Sequence, residues 1–219
     1  MGVTTFILLT IVALAGLLVA EYMENRLGIQ LLKPLASTGF LAVAVAAGGL
    51  DGSAGGAIAP YGLFLLIGLV FSWWGDVFLI PDDRPRIFQA GILSFLLGHV
   101  AYGVAFASLG LHPPAVGAMA LVSLIPIVLV LRWLRPNLPA DMVVPVYAYV
   151  MVISTMMISA VGAFATTGRP MILLGAAMFY VSDLAVARDR FISRGFQNRI
   201  WGLPLYYGGQ LVLASTIAG

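Results

Sequence analysis

Four ionisable side chains lie inside apolar stretches of the sequence, where a charged group is costly. They are Asp76, Asp183, Lys33 and His99. Such a residue inside a membrane helix costs about 2.5–3.5 kcal/mol on insertion scales and marks a functional site by default. Two carboxyls in a low-dielectric cavity can act as acid and base, because burial and mutual repulsion keep one of them protonated. The set therefore predicts acid–base chemistry within the membrane.

Five further polar side chains in the same stretches are candidate substrate-binding or supporting groups: Tyr102, Tyr149, Ser182, Tyr206 and Gln210. Tyr102 follows His99 by three residues, and Gln210 follows Tyr206 by four, so each pair shares one helix face. A structural role is the simpler alternative for each residue taken singly. A buried aspartate can cap a helix or pair with Lys33, and His99 and the tyrosines can hydrogen-bond between helices.

The elements that must position these groups are membrane helices. Of the 219 residues, 61% are apolar and only 9% are charged, and the mean hydropathy is +1.04. A soluble domain carries roughly 25% charged residues, so this composition excludes a soluble domain, a disordered chain and a nucleic-acid binder. A membrane helix needs about 20 apolar residues. The sequence predicts one all-α domain over residues 1–219, a bundle of eight spans at about 3–20, 31–49, 61–80, 87–109, 114–134, 142–165, 170–187 and 200–218.

The distribution of positive charge predicts the orientation of the chain. Ten of the 11 Lys and Arg residues fall in or beside the loops that follow odd-numbered spans, and Arg169 alone falls on the other side. Cytoplasmic loops carry such an excess. Both termini are therefore expected outside the cytoplasm, and Asp76, Asp183 and Lys33 in the cytoplasmic half of the membrane. We expect an integral protein of a bacterial inner (plasma) membrane.

An ordered set of motifs resembles the YhhN-like family of integral membrane proteins, whose characterised members are lysoplasmalogenases. The set runs from span 2 to span 8: Lys33-Pro34, Gly75-Asp76-Val77-Phe78-Leu79, Phe88, Gly91, Phe95, His99, Tyr102, Tyr149, Met156, Ala160, Ser182-Asp183, Phe191, Tyr206 and Gln210. The resemblance implies an eight-helix fold. It also implies hydrolysis of the vinyl ether of lysoplasmalogens to a fatty aldehyde and glycerophosphocholine or glycerophosphoethanolamine, with Asp76 and Asp183 as the catalytic residues.

Vinyl ether chemistry agrees with two carboxyls. The bond has no electrophilic carbonyl, so it must be protonated on carbon, giving an oxocarbenium ion to which water adds, as between the carboxyls of a glycosidase. We favour Asp183 as the acid and Asp76, nearer Lys33, as the ionised partner. His99 and Tyr102 are candidates to orient water or a carboxylate. Lys33 is a candidate to bind the substrate phosphate or to tune an aspartate.

Other functions remain open at this point. A transporter or channel for a small polar or lipidic solute also needs charges near the membrane centre. An intramembrane aspartyl protease is disfavoured because Trp73 stands where its Gly-x-Gly-Asp motif needs glycine. A lipid-binding protein without catalysis is a third alternative. We expect no cofactor and no metal, a lysophospholipid and the bilayer as partners, no nucleic acid and no obligate protein partner.

Overall fold

The computed structural model describes residues 2–49, 59–81 and 84–218, and these residues fold into eight long helices. In chain order the helices are α1 Val3–Tyr22, α2 Arg26–Ala46, α3 Pro60–Phe78, α4 Pro85–Ser108, α5 Pro113–Leu134, α6 Val143–Thr167, α7 Pro170–Phe191 and α8 Phe196–Ser215. Short 3-10 turns follow α5, precede α6 and follow α8. The structure confirms the prediction of an all-helical membrane protein.

Seven of the eight helices, α1 to α7, have the length and apolar composition of a membrane span. The sequence predicted eight spans, and α8 is the one that falls short among the described helices. The reason is its composition, since α8 carries Asn198, Arg199 and Gln210. Ten of its residues are buried, and it packs against α7, α1, α2 and α3. Neighbouring helices thus cover much of α8, and its polar residues Asn198 and Gln210 are buried.

Three helical hairpins form most of the packing: α1 with α2, α3 with α4, and α7 with α8. Helix α6 contacts α4, α5 and α7. Because successive helices alternate in direction, α3 and α7 end where α4, α6 and α8 begin. The side chains near those ends therefore meet at one end of the bundle.

Helix α2 begins at Arg26, five residues before the predicted start of span 2. Asn25 caps it, because its side chain accepts a hydrogen bond from the backbone N–H of Gly28 at 3.0 Å, and such caps satisfy otherwise unpaired donors. The predicted span of 31–49 would have placed Lys33 in the first turn of the helix. Lys33 lies about two turns inside the helix, and Pro34 is internal.

Glycine permits the close approach of α3 to α4. A Cβ added at Gly68 would overlap the ring of Tyr102, and small residues at such crossings are typical of membrane helices. We expect Gly68→Ala to lower the free energy of unfolding by about 1–3 kcal/mol, the usual cost of overpacking. Thermal unfolding in detergent measures this. Gly117→Ala is the control, because nothing lies within 4 Å of its Cβ position; equal melting temperatures for both variants would contradict the packing.

Candidate active site

Asp76, near the end of α3, is held by three side chains. Lys33 Nζ of α2 lies 3.7 Å from Asp76 Oδ1. The hydroxyls of Ser37 and Tyr206 each donate to Asp76 Oδ2 at 2.6 Å. Only 2% of Asp76 and 5% of Lys33 are exposed. An ammonium group and two hydroxyl donors therefore compensate a negative charge on this carboxyl.

Ser37 and Tyr207 are members of this cluster that the sequence analysis missed. Ser37 follows Lys33 by four residues and so shares its helix face. Its hydroxyl lies 3.1 Å from the hydroxyl of Tyr207, which in turn lies 3.2 Å from the backbone oxygen of Lys33. The four-residue spacing was the signal for Ser37. Tyr207 gave none beyond its position next to Tyr206.

Asp183, on α7, has a sparser environment. Tyr149 of α6 donates its hydroxyl proton to Asp183 Oδ2 at 2.7 Å. His99 Nε2 of α4 lies 3.6 Å from the same oxygen, beyond ordinary hydrogen-bond distance. The side chain of Asp183 is 16% exposed, against 4% for that of Asp76. Asp183 is thus the more accessible carboxyl, with fewer groups to balance a charge.

The tautomer of His99 follows from its other contact. Its Nδ1 lies 2.6 Å from the backbone oxygen of Phe95. A carbonyl only accepts, so Nδ1 carries the proton and Nε2 of the neutral ring is an acceptor. Within the described part of the chain, Nε2 has no hydrogen-bond partner. His99 Nε2 is therefore a buried hydrogen-bond acceptor that points toward the carboxyl of Asp183.

The two carboxyl clusters are joined through aromatic side chains. The ring of Phe179 lies 4.4 Å from that of His99 and 5.3 Å from that of Tyr206, between centroids. His99 belongs to the Asp183 cluster and Tyr206 to the Asp76 cluster. Phe179 thus fixes the position of one cluster relative to the other.

Both aspartates line a single cavity. Lys33, Tyr149, Ser182 and Tyr206 line it as well. Much of the remaining lining is apolar and comes from α4, α5 and α6, including Ile92, Val130, Leu134, Val146 and Val150. The cavity extends to Arg190 near the end of α7 and to Arg199 near the beginning of α8. It therefore joins two carboxyls to an apolar slot and a basic end.

Not all the predicted site residues reach this cavity. Tyr102 donates to Gln210 Oε1 at 2.7 Å and lies 3.3 Å from Ser72 Oγ. Tyr102, Gln210 and His99 are not among the described residues that line the cavity. The hydroxyl of Ser182 donates to the backbone oxygen of Phe179, on its own helix. Tyr102 and Gln210 thus brace the helices behind the carboxyls.

No group of three or more His, Asp or Glu side chains suited to a metal ion occurs among residues 2–49, 59–81 and 84–218. The ionisable groups at the site fall into separate pairs, Asp76 with Lys33 and Asp183 with His99. The chemistry this arrangement supports is proton transfer between carboxyls and a bound molecule.

Comparison with known proteins gives a family match over most of the chain. A sequence model of the YhhN family matches residues 28–217. The chain is 32% identical over 161 residues to lysoplasmalogenase TMEM86A of Bos taurus, covering 71% of this chain and 65% of that protein.

Two further relatives are similar at the same level. Lysoplasmalogenase TMEM86B of Rattus norvegicus is 33% identical over 160 residues, which cover 72% of this chain and 64% of that protein. Lysoplasmalogenase TMEM86B of Homo sapiens is 32% identical over 148 residues, covering 66% and 59%. The chain thus spans less than two thirds of the length of these curated relatives. A search of solved structures found no significant match.

Proposed function

The chain belongs to the YhhN family, and from that membership and the two carboxyls that line one cavity we propose that it is a membrane hydrolase of lysoplasmalogens. Its relatives are named lysoplasmalogenases, which favours this activity over the transporter alternative. The products are a fatty aldehyde and glycerophosphocholine or glycerophosphoethanolamine. The observation that carries the proposal is the shared cavity of Asp76 and Asp183.

The two carboxyls take different roles because their surroundings differ. Asp183, accessible and bonded by a single hydroxyl, is the acid that delivers a proton to the β carbon of the vinyl ether. Asp76, compensated by Lys33, Ser37 and Tyr206, stays ionised. Its charge stabilises the oxocarbenium ion, as a glycosidase carboxylate does.

Water completes the reaction. It adds to the oxocarbenium carbon and gives up a proton, which restores the acid. The resulting hemiacetal expels the glycerol oxygen as the alcohol and leaves the aldehyde. The net change is hydrolysis: one water molecule is consumed, the bond between the vinyl carbon and the glycerol oxygen breaks, and nothing is oxidised or reduced, so no cofactor takes part.

The remaining cavity residues fit a single-chain lipid. The apolar slot that includes Ile92, Val130 and Val150 takes the hydrocarbon tail. Tyr149 holds Asp183 by a hydrogen bond, and His99 Nε2 faces the same carboxyl at 3.6 Å from behind the cavity lining. Tyr102 and Gln210, bonded to each other, support the helices behind them.

Aldehyde release by purified protein tests this activity. Wild type in detergent micelles with a lysoplasmalogen should release fatty aldehyde, measured with a coupled aldehyde dehydrogenase. The saturated alkyl analogue is the control substrate and should give none, because it lacks the double bond that accepts the proton. Wild type that releases no aldehyde from any lyso vinyl ether lipid would overturn the proposal.

We also propose that the chain forms one eight-helix domain, with α8 crossing beside α1 and α7 and both termini outside the cytoplasm. The site then lies in the cytoplasmic half of a bacterial inner membrane. The support is the arginine excess at the end of the bundle where α7 ends and α8 begins. Such an excess marks the cytoplasmic side.

Labelling of introduced cysteines checks this orientation, because the chain has no cysteine of its own. Asn137 and Thr166 are exposed and lie near opposite ends of α6. A membrane-impermeant maleimide added to spheroplasts should label Thr166→Cys and leave Asn137→Cys unlabelled until the membrane is permeabilised. The reverse pattern would place the site on the outer side.

A further inference from the structure

His99 is a buried ionisable side chain that the proposed reaction leaves without a role. Only 1% of His99 is exposed, and it lies behind the lining of the cavity, so it does not touch a bound lipid. Its Nδ1 proton is committed to the backbone oxygen of Phe95. Its Nε2 has no hydrogen-bond partner in the described part of the chain. Buried acceptors are nearly always paired in proteins, so this nitrogen requires a donor.

Asp183 is the group that can supply that donor. Its Oδ2 lies 3.6 Å from His99 Nε2, and a hydrogen bond needs less than about 3.2 Å. A small rotation of the Asp183 side chain closes the gap, because that side chain is 16% exposed and is held by one hydroxyl, that of Tyr149. The bond forms only when the carboxyl carries a proton, because an ionised carboxylate and a neutral ring nitrogen are both acceptors.

The two aspartates therefore differ in the kind of group that faces them. Asp76 faces an ammonium group and two hydroxyl donors, and donors favour the ionised carboxylate. Asp183 faces one hydroxyl donor and the His99 acceptor. That acceptor gains a partner only while Asp183 is protonated. The surroundings thus favour a negative charge at Asp76 and a proton at Asp183.

We propose that His99 is a positioning residue that holds the proton of Asp183 by accepting a hydrogen bond from the protonated carboxyl. This rests on the proposed function for the role of Asp183 as the acid. Once the proton has passed to the β carbon of the vinyl ether, Nε2 faces a carboxylate. Two acceptors in contact repel, which favours return of a proton to Asp183 from the water that adds to the oxocarbenium ion. The ring of His99 stays neutral throughout.

Nuclear magnetic resonance of the histidine rings tests the pair without any substrate. The sequence has two histidines, and His112, exposed at the start of α5, is the internal control. In protein labelled with nitrogen-15 histidine, His99 should show one protonated nitrogen and one bare nitrogen. An accepted hydrogen bond should displace the shift of the bare nitrogen toward the protonated value. Tyr149→Phe should keep this displacement, because the carboxyl donor remains.

The double variant Tyr149→Phe with Asp183→Leu identifies the donor. It removes the carboxyl and also the hydroxyl that could take its place, so the displacement at His99 Nε2 should disappear while His112 stays unchanged. An Nε2 shift that is equal in Tyr149→Phe and in the double variant would overturn the proposal. A His99 ring with both nitrogens protonated in the wild type would overturn it as well, because a cation would then face an ionised Asp183.

Two substitutions at His99 measure the effect on turnover. His99→Phe keeps an aromatic ring against Phe179, whose centroid lies 4.4 Å away in the wild type, and removes the acceptor. His99→Gln also loses the bond to Phe95, but its side-chain oxygen can accept from Asp183. We expect kcat for aldehyde release to fall about tenfold in His99→Phe, the effect of losing one buried hydrogen bond, and less in His99→Gln. KM should not change, because His99 does not line the cavity.

The kinetic and spectroscopic results separate the pair from the reaction. A wild-type kcat in His99→Phe, or a lower kcat that His99→Gln does not raise, would overturn the role of His99 in turnover. Wild type that shows the displaced Nε2 shift but releases no aldehyde would overturn the hydrolase alone.

Discussion

Replacing Asp183 by Asn should lower aldehyde release from a lysoplasmalogen by about a thousandfold, within the range expected for loss of a general acid. The amide is nearly isosteric with the acid. Its oxygen can still accept the hydroxyl hydrogen bond of Tyr149, which lies 2.7 Å from Asp183 Oδ2 in the wild type. An amide has no proton to transfer to carbon, so chemistry is lost while the fold is kept. The initial rate with purified variant, at a protein concentration fixed by absorbance, measures this.

Asp141→Asn is the matched control for that substitution. Asp141 is exposed near the start of α6, where Gln89 donates to it at 3.3 Å, and it does not line the cavity. Its variant should retain the wild-type rate. An Asp183→Asn protein that melts at the wild-type temperature and keeps more than about a tenth of the activity would remove Asp183 from the role of acid.

Asp76→Asn should reduce both stability and activity. The substitution leaves Lys33 buried without its carboxylate, and breaking a buried ion pair in this way costs about 3–5 kcal/mol of unfolding free energy. The hydroxyls of Ser37 and Tyr206 keep an oxygen acceptor in the amide, so their part of the cluster survives. Thermal unfolding in detergent should show a clearly lower melting temperature. The rate of aldehyde release should be near background.

The double variant Lys33→Met with Asp76→Asn separates the loss of stability from the loss of activity. An apolar replacement of a buried ion pair is often neutral for stability, so the double variant should recover most of the melting temperature. It should stay inactive, because the carboxylate that stabilises the oxocarbenium ion is absent. A double variant that regains activity together with stability would show that Asp76 serves the fold only.

The sequence identified the ionisable members of the site because charge is rare in this chain. Setting aside the charged residues of the loops and helix ends leaves Asp76, Asp183 and Lys33 within the apolar stretches, and His99 stands out beside them. The structure places Lys33 against Asp76 and His99 against Asp183. The family resemblance drawn from the ordered motifs is confirmed by the match over residues 28–217.

The neutral members of the site were harder to predict because they depend on how helices cross. Ser37 is one of several serines on apolar helices, and only the packing of α2 against α3 brings it to Asp76. Tyr102 shares a helix face with His99, yet it bonds to Gln210 of α8. Periodicity gives the face of a helix and leaves open which neighbour that face meets.

The ends of the helices were also predicted only in part from the sequence. The apolar run predicted span 2 from residue 31, whereas the Asn25 cap extends α2 to Arg26. Helix α8 was predicted as a span although its polar residues keep its hydropathy low. Two of them, Asn198 and Gln210, are buried against other helices. Hydropathy reports contact with lipid and says less about helices buried among other helices.

The isotope content of the released aldehyde tests the central claim, that a carboxyl protonates the vinyl ether on carbon, most directly. Purified wild type is incubated with a lysoplasmalogen in D₂O, and the aldehyde is trapped at once for mass spectrometry. Authentic aldehyde in the same buffer corrects for exchange. We predict one deuterium on the carbon next to the aldehyde group, and about a thousandfold less product from Asp183→Asn in the same time. Aldehyde without deuterium at that carbon would contradict the mechanism.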